Sequence, residues 1–255
     1  MVCEVSDPER VKDLFAGWQE TCVWSCLQGV MGRLYADSEK DPRSAMAILG
    51  DFCFFAGKPD LELVSYKPKW CTQDFIIMTA LSPEWIELIE RVYQEKAKKV
   101  SRYAMKKEPG VFDTEKLKGY VMAADREVLL HMIDEELFEA CGREDWSRDF
   151  VAQYTDYEEF RQKGLGVVAT KNGQLIAGAS SYSSYQGGIE IEIDTKKEYR
   201  RQGLAAACGA KLILACLERG WYPSWDAQNL NSVALAEKLG YHFDHEYTAY
   251  EIAGY

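Results

Sequence analysis

The stretch YRRQGLAA, residues 199 to 206, sets Arg200, Arg201 and Gln202 before a lone Gly203, then Leu204 and Ala205 at the head of an alanine-rich run. The helix dipole disfavours cations at a helix N-terminus, so this clustering points to an anion held there. First-turn amides without partners converge on one spot, which suits phosphate oxygens. Gly203 permits a close backbone approach, Ala205 keeps the first turn uncluttered, and the arginines with Gln202 supply charge and donors. Just upstream, GIEIEID alternates Glu190, Glu192 and Asp194 with Ile189, Ile191 and Ile193. In a strand, that spacing puts the three carboxylates on one face. Such a row can draw in a cationic amine and accept its proton; it is also the pattern of a solvated face on a half-buried strand.

These residues need a strand that feeds a helix through a glycine turn. The segment GVVATKNGQLIAGASSYSSYQGGIEIEID supplies it as a three-strand meander with hairpin turns at Asn172-Gly173 and Gly187-Gly188. EVLLHMID (127 to 134) reads as a strand before it, and DEELFEAC, DWSRDFVAQY and DYEEFRQKG as short helices opened by aspartate caps. After the helix that begins near Gly203 come one strand around WYPSWDA (221 to 227), the helix NSVALAEKL stopped by Gly240, and a last strand near EYTAYEI. The hydroxyls of Ser180 to Tyr185 offer either acceptor-pocket donors or ordinary cross-strand pairs. His131, His242 and His245 have no spaced partner for a triad or a metal and read as structural.

In the first 120 residues, PERVKDLFAGWQ and SPEWIELIERVYQEKAKKV read as amphipathic helices, and AMAILGDFCFFAG, LELVSY and FIIMTAL as strands. The charged MKKEPGVFDTEKLKGY (105 to 120) reads as a linker. The expectation is an α+β, mixed αβ chain of two domains, a smaller one over 1–118 whose role the sequence hides and a larger one over 119–255. No internal repeat is visible.

Forty-one acidic residues against thirty basic give a net charge of −11, which repels nucleic acid and anionic lipid over most of the surface. Neutral or cationic small molecules are the expected partners, and any anion must be held locally. The acidic start and the lack of a long apolar run predict a cytoplasmic protein. Eight cysteines show no paired spacing or histidine cluster and read as reduced core thiols, Cys22 and Cys26 included, with no metal expected.

Taken in order, the meander, YRRQGLA, the following strand and NLNSVALAEKLGY resemble the GNAT superfamily of N-acetyltransferases. Arg200, Gly203 and Ala205 match its pyrophosphate motif, and Asn229, Ser232, Lys238, Leu239, Gly240 and Tyr241 its later pattern. More narrowly, GASSYSSY, IEID, YRRQGLA and WDAQN are similar to the zwittermicin-A-resistance type, in which an extra domain precedes the GNAT domain. The resemblance implies a central, mostly antiparallel sheet flanked by helices, acetyl-CoA as co-substrate, and direct attack by an amine within a ternary complex. It further implies that the backbone near Ile193 and Thr195 pairs with the pantetheine arm, that Asn229 holds the same arm, and that a base deprotonates an amine of pKa about 10.4. Glu192 is the base on this reading, with Glu190 and Asp194 as alternates. Many enzymes of the family carry a proton-donating tyrosine seven residues after that asparagine; Ala236 stands there in this chain. The substitution keeps open a second reading, a catalytically silent acyl-CoA-binding or regulatory protein. Acceptor and oligomeric state stay open.

Overall fold

Short strands and helices alternate through all 255 residues described by the computed structural model. They fall into two units, residues 1–102 with 246–255, and residues 103–245. The strands are β1 (Cys3–Glu4), β2 (Arg33–Ala36), β3 (Ser44–Leu49), β4 (Phe52–Gly57), β5 (Phe75–Ala80), β6 (Ala97–Met105), β7 (Val128–Met132), β8 (Gly166–Lys171), β9 (Gln174–Tyr185), β10 (Gly188–Thr195), β11 (Tyr222–Ser224), β12 (Asp226–Ala227) and β13 (Phe243–Ala253). The helices are α1 (Thr21–Leu27), α2 (Leu61–Val64), α3 (Pro83–Tyr93), α4 (Thr114–Met122), α5 (Glu135–Arg143), α6 (Tyr157–Lys163), α7 (Leu204–Glu218) and α8 (Leu230–Leu239).

In the first unit the order is β1-β2-β3-β4-β5, antiparallel throughout except for the parallel pair β4 and β5. The chain's last residues then pair antiparallel with β5, Tyr250 opposite Met78 and Ile252 opposite Ile76. β3 is buried along its whole length, and Met46, Ile48, Phe55, Met78 and Trp85 form the core. α3 starts where the sequence predicts, with Ser82 accepting from Trp85 N and Pro83 at the first position. It stops at Gln94, whose φ of 47° leaves the helical region, and after a 3₁₀ turn to Lys96 the AKKV tail becomes strand.

Three local expectations fail here for stated reasons. LELVSY contains α2 because the Asp60 carboxylate accepts from Leu63 N at 2.8 Å and starts a helix where apolar content suggested a strand. PERVKDLFAGWQ holds only a 3₁₀ turn at Pro8–Arg10 followed by turns to Gly17 (φ 92°), and α1 forms further on. The expected linker contains α4, opened by Asp113, which accepts from Glu115 N and Lys116 N. Leu117 of α4 is fully buried in the second unit's core, a burial of about 1.5–3 kcal/mol that a free linker does not make. The break between units therefore falls at 102/103 rather than 118/119, and Glu246–Tyr255 pack with the first unit.

The second unit carries the meander. Its sheet runs β11-β10-β9-β8-β7, again antiparallel except for the parallel β10 and β11. Asn172 (φ 52°) and Gly173 (φ 76°) make the tight turn the dipeptide predicts. α7 lays Cys208, Ala210, Leu212 and Ile213 into the core with Ile189, Ile191 and Ala177. The segment around DWSRDFVAQY is only a 3₁₀ turn, Arg148–Phe150. WYPSWDA is two strands, broken at Trp225, and β12 pairs with the end of β6, Asp226 opposite Ala104. Both units thus share one plan: a strand, a helical stretch, three antiparallel strands, a helix, a strand parallel to the one before that helix, and a second helix. The repeat lies in topology and not in residues, which is why the sequence hides it.

Candidate active site

β10 and β11 hold together over only three residue pairs, Gly188 with Tyr222, Ile189 with Pro223 and Glu190 with Ser224. Beyond them Trp225 turns into the core, 3% exposed, and its indole Nε1 donates to Ser232 Oγ at 3.0 Å. β12 then takes β6 as its neighbour. From Ile191 to Thr195, β10 has β9 on one side and no strand on the other. At about 3.3 Å per residue this free edge runs roughly 13 Å from Ile191 to Thr195. Its backbone groups can receive an extended ligand as a missing strand would be received. Trp225 makes this crevice, and a sequence reading of one continuous strand misses it.

The open end of the crevice leads to the start of α7. Six of the eight helices are capped by a side-chain oxygen, from Asp60, Ser82, Asp113, Asp134, Asp156 and Asn229. α7 begins instead at Gly203, φ 81° and ψ 1°, with no side-chain cap. Its first helical bond is Ala207 N to Gly203 O, 3.0 Å, so the amides of Leu204, Ala205 and Ala206 point outward without intrahelical partners. A Cβ placed on Gly203 meets nothing within 4 Å. The start of α7 therefore presents these amides with open space in front of Gly203.

Arg200 shapes the cradle more than it fills it. Its Nε donates to Thr195 O at 2.9 Å and its Nη2 to Asp194 Oδ1 at 3.3 Å. Asp194 Oδ1 also accepts from Thr195 N, 2.6 Å. Arg201, at φ 66°, and Gln202 are exposed beside the cradle. Thr195 is 8% exposed, and its Oγ1 is buried with no hydrogen-bond partner. The end of the free edge thus carries a buried hydroxyl left without a hydrogen-bond partner, the kind of group a bound ligand can satisfy.

Glu190, Glu192 and Asp194 share one face, as the alternation predicts. The extra residue between β9 and β10 is Tyr182 on β9, so β10 keeps its alternation. The three carboxylates differ in surroundings. Asp194 is committed to the Arg200 turn, Glu192 faces Ser180 in register, and Glu190 sits at the closed end opposite Ser183 and Ser224. On Glu190's face, Tyr185 crosses Gly188, where a Cβ would collide with the phenol ring, and its hydroxyl lies 3.0 Å from Ser224 Oγ. Burial pushes the Tyr185 phenol well above its ordinary range, with Glu190 adding to the rise, so it remains a proton donor.

The serine run does not line a pocket. Ser180 Oγ donates to Phe150 O, Ser181 Oγ accepts from Leu165 N and from Tyr154 OH, and Ser184 Oγ donates to Lys163 O. These bonds tie β9 to the segment before it. Asn229 Oδ1 caps α8 by accepting from Ser232 N at 3.1 Å. Ala236 is fully buried. His131 meets Thr170, His242 meets Glu108, and His245 meets Asp244, all surface pairs.

The chain matches the family model described as GNAT acetyltransferase over residues 12–250, across both units. It is 25% identical over 240 residues to the uncharacterized N-acetyltransferase YdfB of Bacillus subtilis strain 168, covering 90% of this chain and 89% of that protein. A GCN5-related N-acetyltransferase-like protein from Streptococcus suis is 46% identical, with a TM-score of 0.91 over 96% of this chain and 98% of its own. A tandem GNAT protein from the clavulanic acid biosynthesis pathway shares the fold, with 10% identity and a TM-score of 0.58 over 100% of this chain and 99% of its own. No helix is long and apolar enough to cross a membrane.

Proposed function

Because the chain belongs to the GNAT acetyltransferase family, whose co-substrate is acetyl-CoA, we propose that it transfers the acetyl group to a primary amine of a small molecule by direct attack in a ternary complex. The observation that carries this is the parting of β10 from β11 after Glu190 and Ser224, with a free edge that ends at the uncapped α7. In this reading the amides of Gly203, Leu204 and Ala205, with Arg201 and Gln202, hold the pyrophosphate. The backbone of Ile193 and Thr195 and the Thr195 hydroxyl line the arm's path. Asn229 and Ser232 face it from α8.

A ligand anchored at Gly203 and laid along the edge, which runs about 13 Å from Thr195 to Ile191, carries its acyl end to the closed end of the crevice. What supports Glu190 over Glu192 as the base is its position at that end; Asp194 has its partners in the Arg200 turn. Glu190 takes a proton from the acceptor ammonium, and an edge amide polarises the thioester carbonyl. The C–N bond forms as the C–S bond breaks. The sulfur leaves as a thiolate, which a reference pKa of about 8.5 allows without the tyrosine that Ala236 replaces. A cytoplasmic setting agrees with eight free thiols. The narrower likeness to zwittermicin-A-resistance enzymes puts amine antibiotics and amino acids at the head of the acceptor panel.

The test is acceptor-dependent CoA release across that panel. Turnover is expected, and Glu190→Gln is expected to cut kcat by about 100-fold or more with acetyl-CoA affinity unchanged, while Glu192→Gln costs less. The buried Ala236 favours the second reading, a silent acyl-CoA-binding protein. Acetyl-CoA binding without release for any acceptor would establish that reading instead.

A further inference from the structure

The first unit repeats the strand order and the parallel pair of the second, so it has its own counterpart of the crevice, between β4 and β5. Three features shut it. First, β4 and β5 stay paired over four residues, Phe52 with Ile77 through Phe55 with Ala80, leaving only Ala56 and Gly57 of β4 beyond the ladder. In the second unit, five of eight residues of β10 lie beyond it. Second, Trp85, on the helix after β5, occupies the place where a ligand arm would pair. Its indole Nε1 donates to Gly57 O at 2.9 Å, its ring stacks on Phe55 at 4.9 Å, and it is 1% exposed. Third, the helix after β4 is a single turn whose free amide is taken by the Asp60 carboxylate, Leu63 N to Oδ1 2.8 Å. A carboxylate at that point repels the phosphate that the equivalent cradle at Gly203 invites.

We propose that the first unit is a second copy of the acyltransferase fold whose CoA crevice has been converted into core, so that the chain takes up one acetyl-CoA and takes it up only in the second unit. What fills the old slot is Trp85 and Phe55, and the conversion replaces an aqueous groove with aromatic packing and a satisfied carbonyl. The pattern also separates two tasks that the fold can perform, holding a nucleotide ligand and building a rigid body, between two halves of one chain.

The probe is acetyl-CoA itself, and its choice rests on the reading of the second unit. Calorimetry on the intact protein is expected to give one site per chain, and Gly203→Glu, with its far-UV circular dichroism and Tm checked against wild type, none. Two sites in wild type, or one site retained by Gly203→Glu, overturns the proposal. No binding to wild type overturns the acetyl-CoA reading of the second unit while leaving the first crevice shut. As an independent measurement, the Trp85 indole N–H resonance, assigned by loss in Trp85→Phe, is expected to exchange slowly and to stay in place in Gly203→Glu at saturating acetyl-CoA. A shift of that resonance in the variant overturns the proposal even if calorimetry registers no heat.

Discussion

Arg200 Nε donates to the backbone carbonyl of Thr195, five residues earlier, at 2.9 Å, closing the turn between the free edge of β10 and the head of α7. The same guanidinium reaches Asp194 Oδ1 with a second nitrogen at 3.3 Å. Arg200 therefore ties the end of the strand to the turn that leads into α7, where the phosphate is proposed to sit.

Arg200→Ala is expected to weaken acetyl-CoA binding by about tenfold or more, the scale of one charge-assisted hydrogen bond. Arg200→Lys is expected to lose nearly as much, because an ammonium cannot make the two-nitrogen fork. Calorimetry on both variants decides it. A lysine variant that binds like wild type would mean that charge alone is needed there.

Gly203 separates backbone conformation from space. At φ 81° an L-residue is strained, yet nothing lies within 4 Å of its missing Cβ. Gly203→Ala should cost about 1 kcal/mol of stability through the left-handed backbone. Its effect on affinity reports how closely the ligand approaches. Gly203→Glu should eliminate binding, since a fixed anion then sits where the phosphate belongs. Thermal melts and calorimetry of the pair measure the two effects separately.

Most of the second unit is legible in its sequence because its signals are local. Asn172-Gly173 fixes one hairpin, and Gly187 (φ 93°) turns the other one residue earlier than Gly187-Gly188 suggests, with Gly188 already in β10; β10 alternates without interruption, and Gly203 and Gly240 mark helix ends by their positive φ. The crevice is not legible, because WYPSWDA has one composition and two partners: Tyr222–Ser224 pair with β10, and Asp226–Ala227 with β6. Partner choice belongs to tertiary structure. α4 is hidden in the same way, its charged residues resembling a linker while Leu117, with Tyr120 and Val121 packed beside it, anchors it in the core. The orphaned Thr195 hydroxyl has no sequence signature at all, and the Tyr185 contact with Ser224 depends on a glycine, Gly188, lying under the ring.

Glu144 tethers the end of α5 to Lys196, the residue after β10, at 3.1 Å, and also accepts from Trp146 Nε1 at 2.8 Å. The hydrogen bonds from Lys196 and then Trp146 hold its carboxyl below the ordinary range. A depressed folded-state pKa contributes stability above the unfolded value of about 4.3 and loses it as pH falls through the folded value. The Glu144 side chain is 41% exposed and Lys196 19%, so the contribution is at most about 1 kcal/mol. Glu144→Gln should lower Tm slightly at pH 7, and the difference from wild type should shrink as pH falls below about 4.3. A difference that persists unchanged into that range would assign the effect to the neutral hydrogen bonds.

Burial raises the thiols of Cys26, Cys141, Cys208 and Cys216 to about 12. At pH 8 only about one in ten thousand of such groups is a thiolate, the form that attacks a disulfide reagent. Desolvation also raises Cys53 and Cys71, and Cys22 is buried, whereas Cys3, in the two-residue β1, is half-buried. Native protein should therefore react at about one thiol, removed by Cys3→Ser, and in denaturant at all eight. Cys208 and Cys216 make the result diagnostic of the site, because both lie on α7 in the core beneath Ile189 and Ile191. Their reaction in native protein would require α7 to leave the sheet, and with it the Gly203 cradle, on the timescale of the assay. Protection of both thiols shows that the cradle stands on a closed core, and it lets CoA release be followed with the same reagent against a background of Cys3 alone.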